Sequence, residues 1–320
     1  MTRYLLRRAA FLLISLLAAI VVLFVLLRLL PGDPANALLS VNATPEQIAA
    51  AQAQVGSDRP LAEQFASWFG DVLTLDLGRS FISSLPVGPE IVSRLAVTVP
   101  LTLLSFALAL VVSLVVGFVA AWKSRTWYGQ ALSALSQLGI AVPAFWVGIL
   151  LVSLFSIRLR LLPSGGFPRD DWADPADAIR SLTLPVITIA IVMSASLARY
   201  VRSATLDVLG SDFLRNARAL GAPFRVAMWR HGLRNASVPV ISILGIELAT
   251  TFLGAVVIES VFTLPGLGSM LLRAIAQHDY PNIQGILLVS TVAVLVIGFL
   301  ADLVQRLVDP RLRASISGNR

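Results

Sequence analysis

Six apolar stretches, near residues 9–30, 97–121, 131–157, 184–204, 236–259 and 283–305, divide this 320-residue chain. Each has the roughly 20 helical residues needed to cross a hydrocarbon core about 30 Å thick. The composition agrees: 57% of residues are hydrophobic, 13% are charged, and the mean hydropathy is +0.82, well outside the range of water-soluble domains. The expected fold class is an all-α integral membrane protein with six transmembrane helices. The first stretch, AAFLLISLLAAIVVLFVLLRLL, is too long for a secretion signal and no small-residue cleavage site follows it, so it is expected to stay as an anchor.

Charge then sets the orientation. The net charge is +7, which in a soluble protein would suggest a nucleic-acid partner, but here the placement of the charge matters more than its sum. With the N-terminus in the cytoplasm, the inside segments (1–8, 122–130, 199–236 and 306–320) hold 16 of the 25 Lys and Arg in 70 residues. The outside segments (31–96, 158–183 and 260–282) hold 8 in 115 residues. That is the positive-inside pattern with both termini cytoplasmic, and it accounts for the basic surplus without any nucleic acid.

The chain divides accordingly. Residues 1–30 form the N-terminus and first span, 31–96 an extracytoplasmic segment with short amphipathic helices, 97–306 a five-helix core with a cytoplasmic loop at 205–235, and 307–320 a cytoplasmic tail. LPGDP (30–34) turns the chain at the outer surface, because two prolines and a glycine cannot continue a helix. Thr44-Pro45-Glu46-Gln47 has the form of a capping box. Asp58 has the form of an acidic cap before Leu61, Phe65, Trp68 and Phe69, an apolar stripe at helical spacing. The stripe either packs on the protein's own spans or docks an extracytoplasmic protein. Pro143, within the third span, removes a backbone hydrogen bond and predicts a kink. No repeat with a period of 20–50 residues is present.

Few ionisable residues fall inside the spans, and each is costly there, so each is a functional candidate. Glu247, midway along the fifth span, either lines a translocation path, where it could meet a cationic substrate, or is a hydrogen-bonded packing residue. Pro143 and Phe145 are the other candidates for a substrate path. Glu259 falls where that span should exit and is expected at the interface. The chain has no cysteine, which excludes disulfides and thiolate chemistry. Neither histidine has a metal-ligand neighbour at helical spacing, and no Ser-His-Asp set or phosphate-binding glycine loop occurs. No catalytic residue and no metal site are expected. Gly266-Leu267-Gly268-Ser269 lacks the strand-turn-helix setting of a serine-nucleophile turn.

LRNARALGAPFRVAMWRHGLRN (214–235) carries five arginines and no acid. Residues 207–220 read as an amphipathic helix, Gly221-Ala222-Pro223 as a break, and 224–232 as a second short helix with Pro223 at its first position. Positive-inside anchoring and contact with anionic headgroups explain the arginines. They do not explain Gly221 or the apolar Phe224, Met228 and Trp229, which fit a protein-docking knob.

The stretch LARYVRSATLDVLGSDFLRNARALGAPFRVAMWRHGLRNASVPV resembles the cytoplasmic loop of binding-protein-dependent ABC import permeases, in the subfamily for dipeptides, oligopeptides, nickel and glutathione. The family loop reads Glu-Ala-Ala, three residues, Gly, nine residues, Ile-x-Leu-Pro. Aligned on Gly221, Ala217 takes the second alanine and Leu233 the leucine. Arg215, Asn216, His231 and Arg234 depart from the general pattern but match the peptide-type variant, Arg-x-Ala-Arg-Ala-x-Gly followed by Arg-His-x-Leu-Arg-Asn. LPGDP, DRPLAEQFASWF with DLGRS (76–80), PVGPEIVSRL (86–95), LLPSGG (161–166), IESVFTLPGLGSMLLRAI (258–275) and HDYPNIQG (278–285) are similar to the same permeases, in the same order and spacing.

The resemblance implies the type I ABC importer permease fold in a bacterial inner membrane. It implies a second homologous permease, two cytoplasmic ATP-binding subunits, an extracytoplasmic substrate-binding protein and surrounding lipid as partners. ATP and Mg would be held by the ATPases, with no cofactor in this chain. Arg215, Ala217, Arg218, Ala219, Gly221, Ala222, Pro223, Phe224, Arg225 and Met228 would couple to an ATPase. The cargo would be di- or oligopeptides, or else nickel, glutathione or another small solute. A self-sufficient secondary transporter would need charged or broken-helix ion sites at mid-membrane, and Glu247 is the only central acid.

Overall fold

The computed structural model describes residues 2–29, 35 and 43–308. The LPGDP turn at 30–34 and the tail beyond Val308 lie outside the described residues. Twelve α-helices are described in chain order: α1 (Thr2–Leu29), α2 (Pro45–Val55), α3 (Leu61–Leu73), α4 (Val87–Trp122), α5 (Trp127–Ala141), α6 (Ala144–Leu151), α7 (Pro175–Leu209), α8 (Asp212–Ala219), α9 (Phe224–Ala227), α10 (Leu233–Val261), α11 (Leu267–Ala276) and α12 (Tyr280–Val308). π-helical turns at Val152–Arg158 and Met228–Gly232 follow α6 and α9. Among the described residues no strand occurs, only an isolated bridge between Arg79 and Pro86. Five helices, α1, α4, α7, α10 and α12, are each long and apolar enough to cross a membrane, and α5 with α6 makes a sixth, bent candidate.

The chain forms two compact units, Met1–Thr98 with Pro265–Val296, and Val99–Leu264 with Ile297–Arg320. In the first, the aromatic stripe of α3 packs on the protein's own first span. Phe24 of α1 meets Phe65 edge-on at 5.2 Å and stacks on Trp68 at 5.8 Å. The capping box at Thr44 is present, with Gln47 N donating to Thr44 Oγ1 and Thr44 N donating to Gln47 Oε1. Asp58, however, does not cap α3. Pro60 occupies that position without a side-chain bond, and its carbonyl accepts from the amides of Glu63 and Gln64. Farther along, the buried Asp279 carboxylate accepts from Ser80 Oγ (2.5 Å), Phe81 N (3.0 Å) and Asn282 Nδ2 (2.8 Å). A buried charge needs such donors, and these three pin the DLGRS turn to the start of α12.

In the second unit α7 is the axis: 56% of its apolar window is buried, against 28% or less for α1, α4, α10 and α12. It starts cleanly, because Asp174 accepts from the amides of Ala176 and Asp177 with Pro175 at the first helical position. Close approach comes from small residues. A Cβ on Gly117 of α4 would lie 2.7 Å from the Ala198 carbonyl, and one on Gly139 of α5 2.7 Å from Ala195 Cβ. Between α10 and α12, a Cβ on Gly245 would collide with Ala301 Cβ. Buried hydroxyls in the spans satisfy themselves: Ser105, Thr188 and Thr205 each donate to the carbonyl four residues earlier, at 2.7–2.8 Å.

The third span departs from expectation. Pro143 does not merely kink it; α5 and α6 meet at 102°. Val142 (ψ 125°) and Pro143 (ψ 134°) are both extended, so two consecutive residues leave the helix. The residue before a proline is pushed from the helical region by the ring, and Pro143 then serves as the N-cap of α6. The pair runs along the second unit. It starts beside Trp122, which stacks on Phe224 at the α9 end of the unit. It passes Ala195 at Gly139 and Thr188 and Phe262 at Gly148, and the chain then reaches Gly165, where a Cβ would crowd the Phe262 carbonyl at the far end of α10. With the bent pair counted as one crossing, the described helices supply six. Glu259, expected at the interface, stands near the end of α10 with its side chain fully buried.

Two measurements check this architecture. Because the chain lacks cysteine, Ser124→Cys and Ser164→Cys give single labelling sites; an impermeant maleimide added outside intact spheroplasts should modify the second variant only, whereas equal labelling would make the α5–α6 pair re-entrant. Gly245→Leu should lower stability by about 1–3 kcal/mol through overpacking, read by thermal unfolding of the purified protein. Gly254→Leu on the same helix, where a Cβ meets nothing within 4 Å, should change it by less than about 0.5 kcal/mol.

Candidate functional site

The basic block between α7 and α10 is a built structure rather than a tail. The expected helix over 207–220 is interrupted: α7 ends at Leu209, and Ser211 (φ −74°, ψ 147°) is the extended N-cap of α8. The break lets α8 turn back so that Leu214, 3% exposed, enters an apolar core with Val201, Ala204 and Val208 of α7, Ala227 and Met228, and Ala236 and Val240 of α10. Phe118, Leu209, Ala217, Ala222, Phe224 and Leu233 pack around it. One core therefore joins α7, α8, α9 and α10.

Gly221 makes the turn after α8. Its φ of +88° lies in the left-handed region, where a side chain would be strained and a glycine is not. Ala222 N donates to Ala217 O (3.1 Å) and Gly221 N to Arg218 O (3.0 Å), the paired bonds of a Schellman helix end, accompanied by the apolar contact such ends often carry. Pro223 (φ −61°, ψ 148°) is the N-cap of α9, one position before the place expected for it. From Phe224 the chain stays helical through the π turn at Met228–Gly232 into α10, so the second short helix is the root of a span, not a free element. At Gly232 a Cβ would press on Met228 Sδ, so a larger residue there would displace that side chain.

The candidate coupling residues are thus brought together, but they face two ways. Arg215, Arg218, Ala219, Gly221, Pro223 and Arg225 are exposed, and Ala217, Ala222 and Phe224 are half-buried. Arg215 pairs with Asp212 one turn earlier. Met228 is 3% exposed, so the docking face read for it from sequence is corrected: its side chain belongs to the core. Leu220 (88%), Val226 (49%) and Trp229 (76%) carry the exposed apolar surface instead. Phe224 stacks on Trp122 with ring centroids 6.1 Å apart and planes at 12°. The two rings lie about a hundred positions apart in the chain, a pairing that no local sequence signal gives.

Glu247 is half-buried and accepts from Ser196 Oγ on α7 at 2.9 Å. Its backbone carbonyl accepts from Thr251 Oγ1, which also reaches Met193 Sδ at 3.3 Å. This polar strip between α7 and α10 holds a carboxylate where hydrocarbon would otherwise exclude it. Pro143 and Phe145 are exposed at the α5–α6 corner. Gly139 touches Ala195, next to Ser196, so the corner forms within about one helical turn of the Glu247 level.

Comparison with known proteins agrees with this geometry. The family described as binding-protein-dependent transport system inner membrane component matches residues 113–314, and the N-terminal part described for such membrane components matches 1–102. The chain is 38% identical over 314 residues to a putative peptide transport system permease protein of Brucella abortus (strain 2308), covering 98% of this chain and 99% of that one. It is 35% identical to a probable peptide ABC transporter permease protein of Sinorhizobium fredii (97% and 99% covered) and 35% identical to a glutathione transport system permease protein of Salmonella choleraesuis (98% and 99% covered). Its fold is similar to the MetNI methionine ABC transporter in inward-facing conformations, with a TM-score of 0.57 at 17% identity over 68% of this chain and 96% of that one. An amino acid ABC transporter solved with histidines gives a TM-score of 0.54 at 19% identity over 68% and 94%. The chain belongs to the family of binding-protein-dependent transport system inner membrane components: it is a permease subunit of an ABC transporter, and not itself an enzyme.

Proposed function

We propose that this permease imports di- or oligopeptides, together with a second, similar permease, two cytoplasmic ATPases that bind ATP and Mg, and an extracytoplasmic binding protein that delivers the substrate. The observation that carries the reading is the mounting of the 212–230 block on a single apolar core shared with α7 and α10. Full-length relatives named for peptide transport, and one named for glutathione, itself a small peptide-like solute, support the cargo class.

Arg218, Leu220, Arg225, Val226 and Trp229 form the outer face of the block, which sits in a groove on an ATPase. Closure of the ATPase pair moves that face. A close-packed core resists deformation, so the displacement passes to α7 and α10 instead of being absorbed in the loop. Met228 and Leu214 act as the root of the handle, Gly221 as its bend. ATP's energy enters as a differential affinity for the inward-open and outward-open states. Glu247 lines the path with one carboxylate oxygen held by Ser196, where it can receive the ammonium of a peptide; Pro143 and Phe145 border the same path.

Gly221→Pro, which cannot adopt a positive φ, should reduce peptide uptake by about tenfold or more while leaving membrane insertion intact. Normal uptake with normal ATPase co-purification would remove the coupling role. Glu247→Ala should raise the apparent KM for peptides several-fold with a smaller change in maximal rate, the pattern of a lost binding contact. Unchanged uptake across a panel of peptides would leave Glu247 as a packing residue.

A further inference from the structure

We propose that a cavity of about 320 Å³ in the first unit binds the headgroup of a zwitterionic phospholipid bearing a primary ammonium. It is lined by the end of α1, the end of α2, one side of α3, the 76–81 turn and the start of α12, and is open on one side. That volume is at the lower end of the range for small-ligand sites and suits a polar headgroup.

Its lining carries both signs of charge: Arg28 and Arg59 are positive, Asp71 and Asp76 negative. Arg59 is folded over Gly56, its Nε 3.7 Å from where a Cβ on that glycine would stand. Among the described residues neither Arg59 nor Asp71 makes an ion pair; both are exposed at the rim of the cavity they line. A simple anion would suit the arginines and be repelled by the acids, and a simple cation the reverse. A molecule carrying both charges answers both.

Gln64 lines the same cavity and narrows the choice of ammonium. Its Nε2 donates to Arg59 O (2.7 Å) and Ser57 O (3.3 Å), which fixes the amide. Its Oε1 is buried and has no hydrogen-bond partner, a state that buried carbonyls in native proteins rarely keep. A primary ammonium can donate to it; a trimethylated one cannot. The position of the cavity at the end of an apolar span points to lipid rather than to a soluble zwitterion. Phe24 and Leu27 of α1 line it below Arg28, which stands in the last turn of that span, and Trp68 stacks on Phe24. Arginine and aromatic side chains at the end of a span lie at headgroup level.

The site is independent of the cargo. To test it, the full-length permease, co-purified with its partner subunits, is placed in phosphatidylcholine nanodiscs doped with phosphatidylethanolamine or phosphatidylglycerol, and retained lipid is measured by native mass spectrometry. Phosphatidylethanolamine should be enriched about fivefold over both other lipids, roughly the effect of one net hydrogen bond. Asp71→Asn or Arg59→Gln should bring it toward the bulk ratio, and Gln64→Leu should erase the preference over phosphatidylcholine. Arg169→Gln, elsewhere on the outer surface, should leave it unchanged. Bulk-ratio retention by the wild-type protein, a preference for phosphatidylglycerol, or displacement of the lipid by free dialanine would overturn the proposal. The wild-type selectivity decides it even where a variant does not fold.

Discussion

A backbone in hydrocarbon must close its own hydrogen bonds, and the rest of this structure follows from that demand. It makes every span a helix. It also explains why hydroxyls inside the spans turn back to the carbonyl one turn earlier, as at Ser105, Thr188 and Thr205. Where the helix is interrupted, the gap is small and flanked by protein: the Val142–Pro143 corner lies between Gly139, against α7, and Gly148, against α7 and the end of α10.

Helices that are apolar all round cannot recognise one another by hydrophobicity in lipid, so contact is decided by shape. Gly117 and Gly139 bring α4 and α5 onto α7 at distances a side chain would forbid. This makes α7 the best-buried of the five long helices. The basic block is joined to it through Leu214 and Met228, which enter the same core as Val201 and Val240. The exposed face of the block is left to Leu220, Val226, Trp229 and the arginines.

Much of this was legible in the chain. Span positions came from apolar length, and the family from motifs in a fixed order. The capping box at Thr44 was readable because its bonds are local. The errors fall where the deciding contact is distant or sterically subtle. Asp58 looked like a cap, but Pro60 holds that place. Residues 207–220 looked like one helix because amphipathic spacing persists across Gly210, while burial of Leu214 requires the break. Met228 looked like a docking residue because apolar character in a basic block does not say which way a side chain points.

By itself the sequence determined the apolar spans and the glycine turn of the basic block, since each depends on short-range properties: hydropathy over about twenty residues and the left-handed backbone that glycine adopts at little cost. Only the tertiary structure decided which face of that block is buried, that Ser196 holds Glu247 and Trp122 meets Phe224, and that the third span turns by 102°. Those outcomes depend on which helices come into contact, and in a chain whose spans are nearly uniform in hydropathy that choice rests on the fit of side chains far apart in sequence.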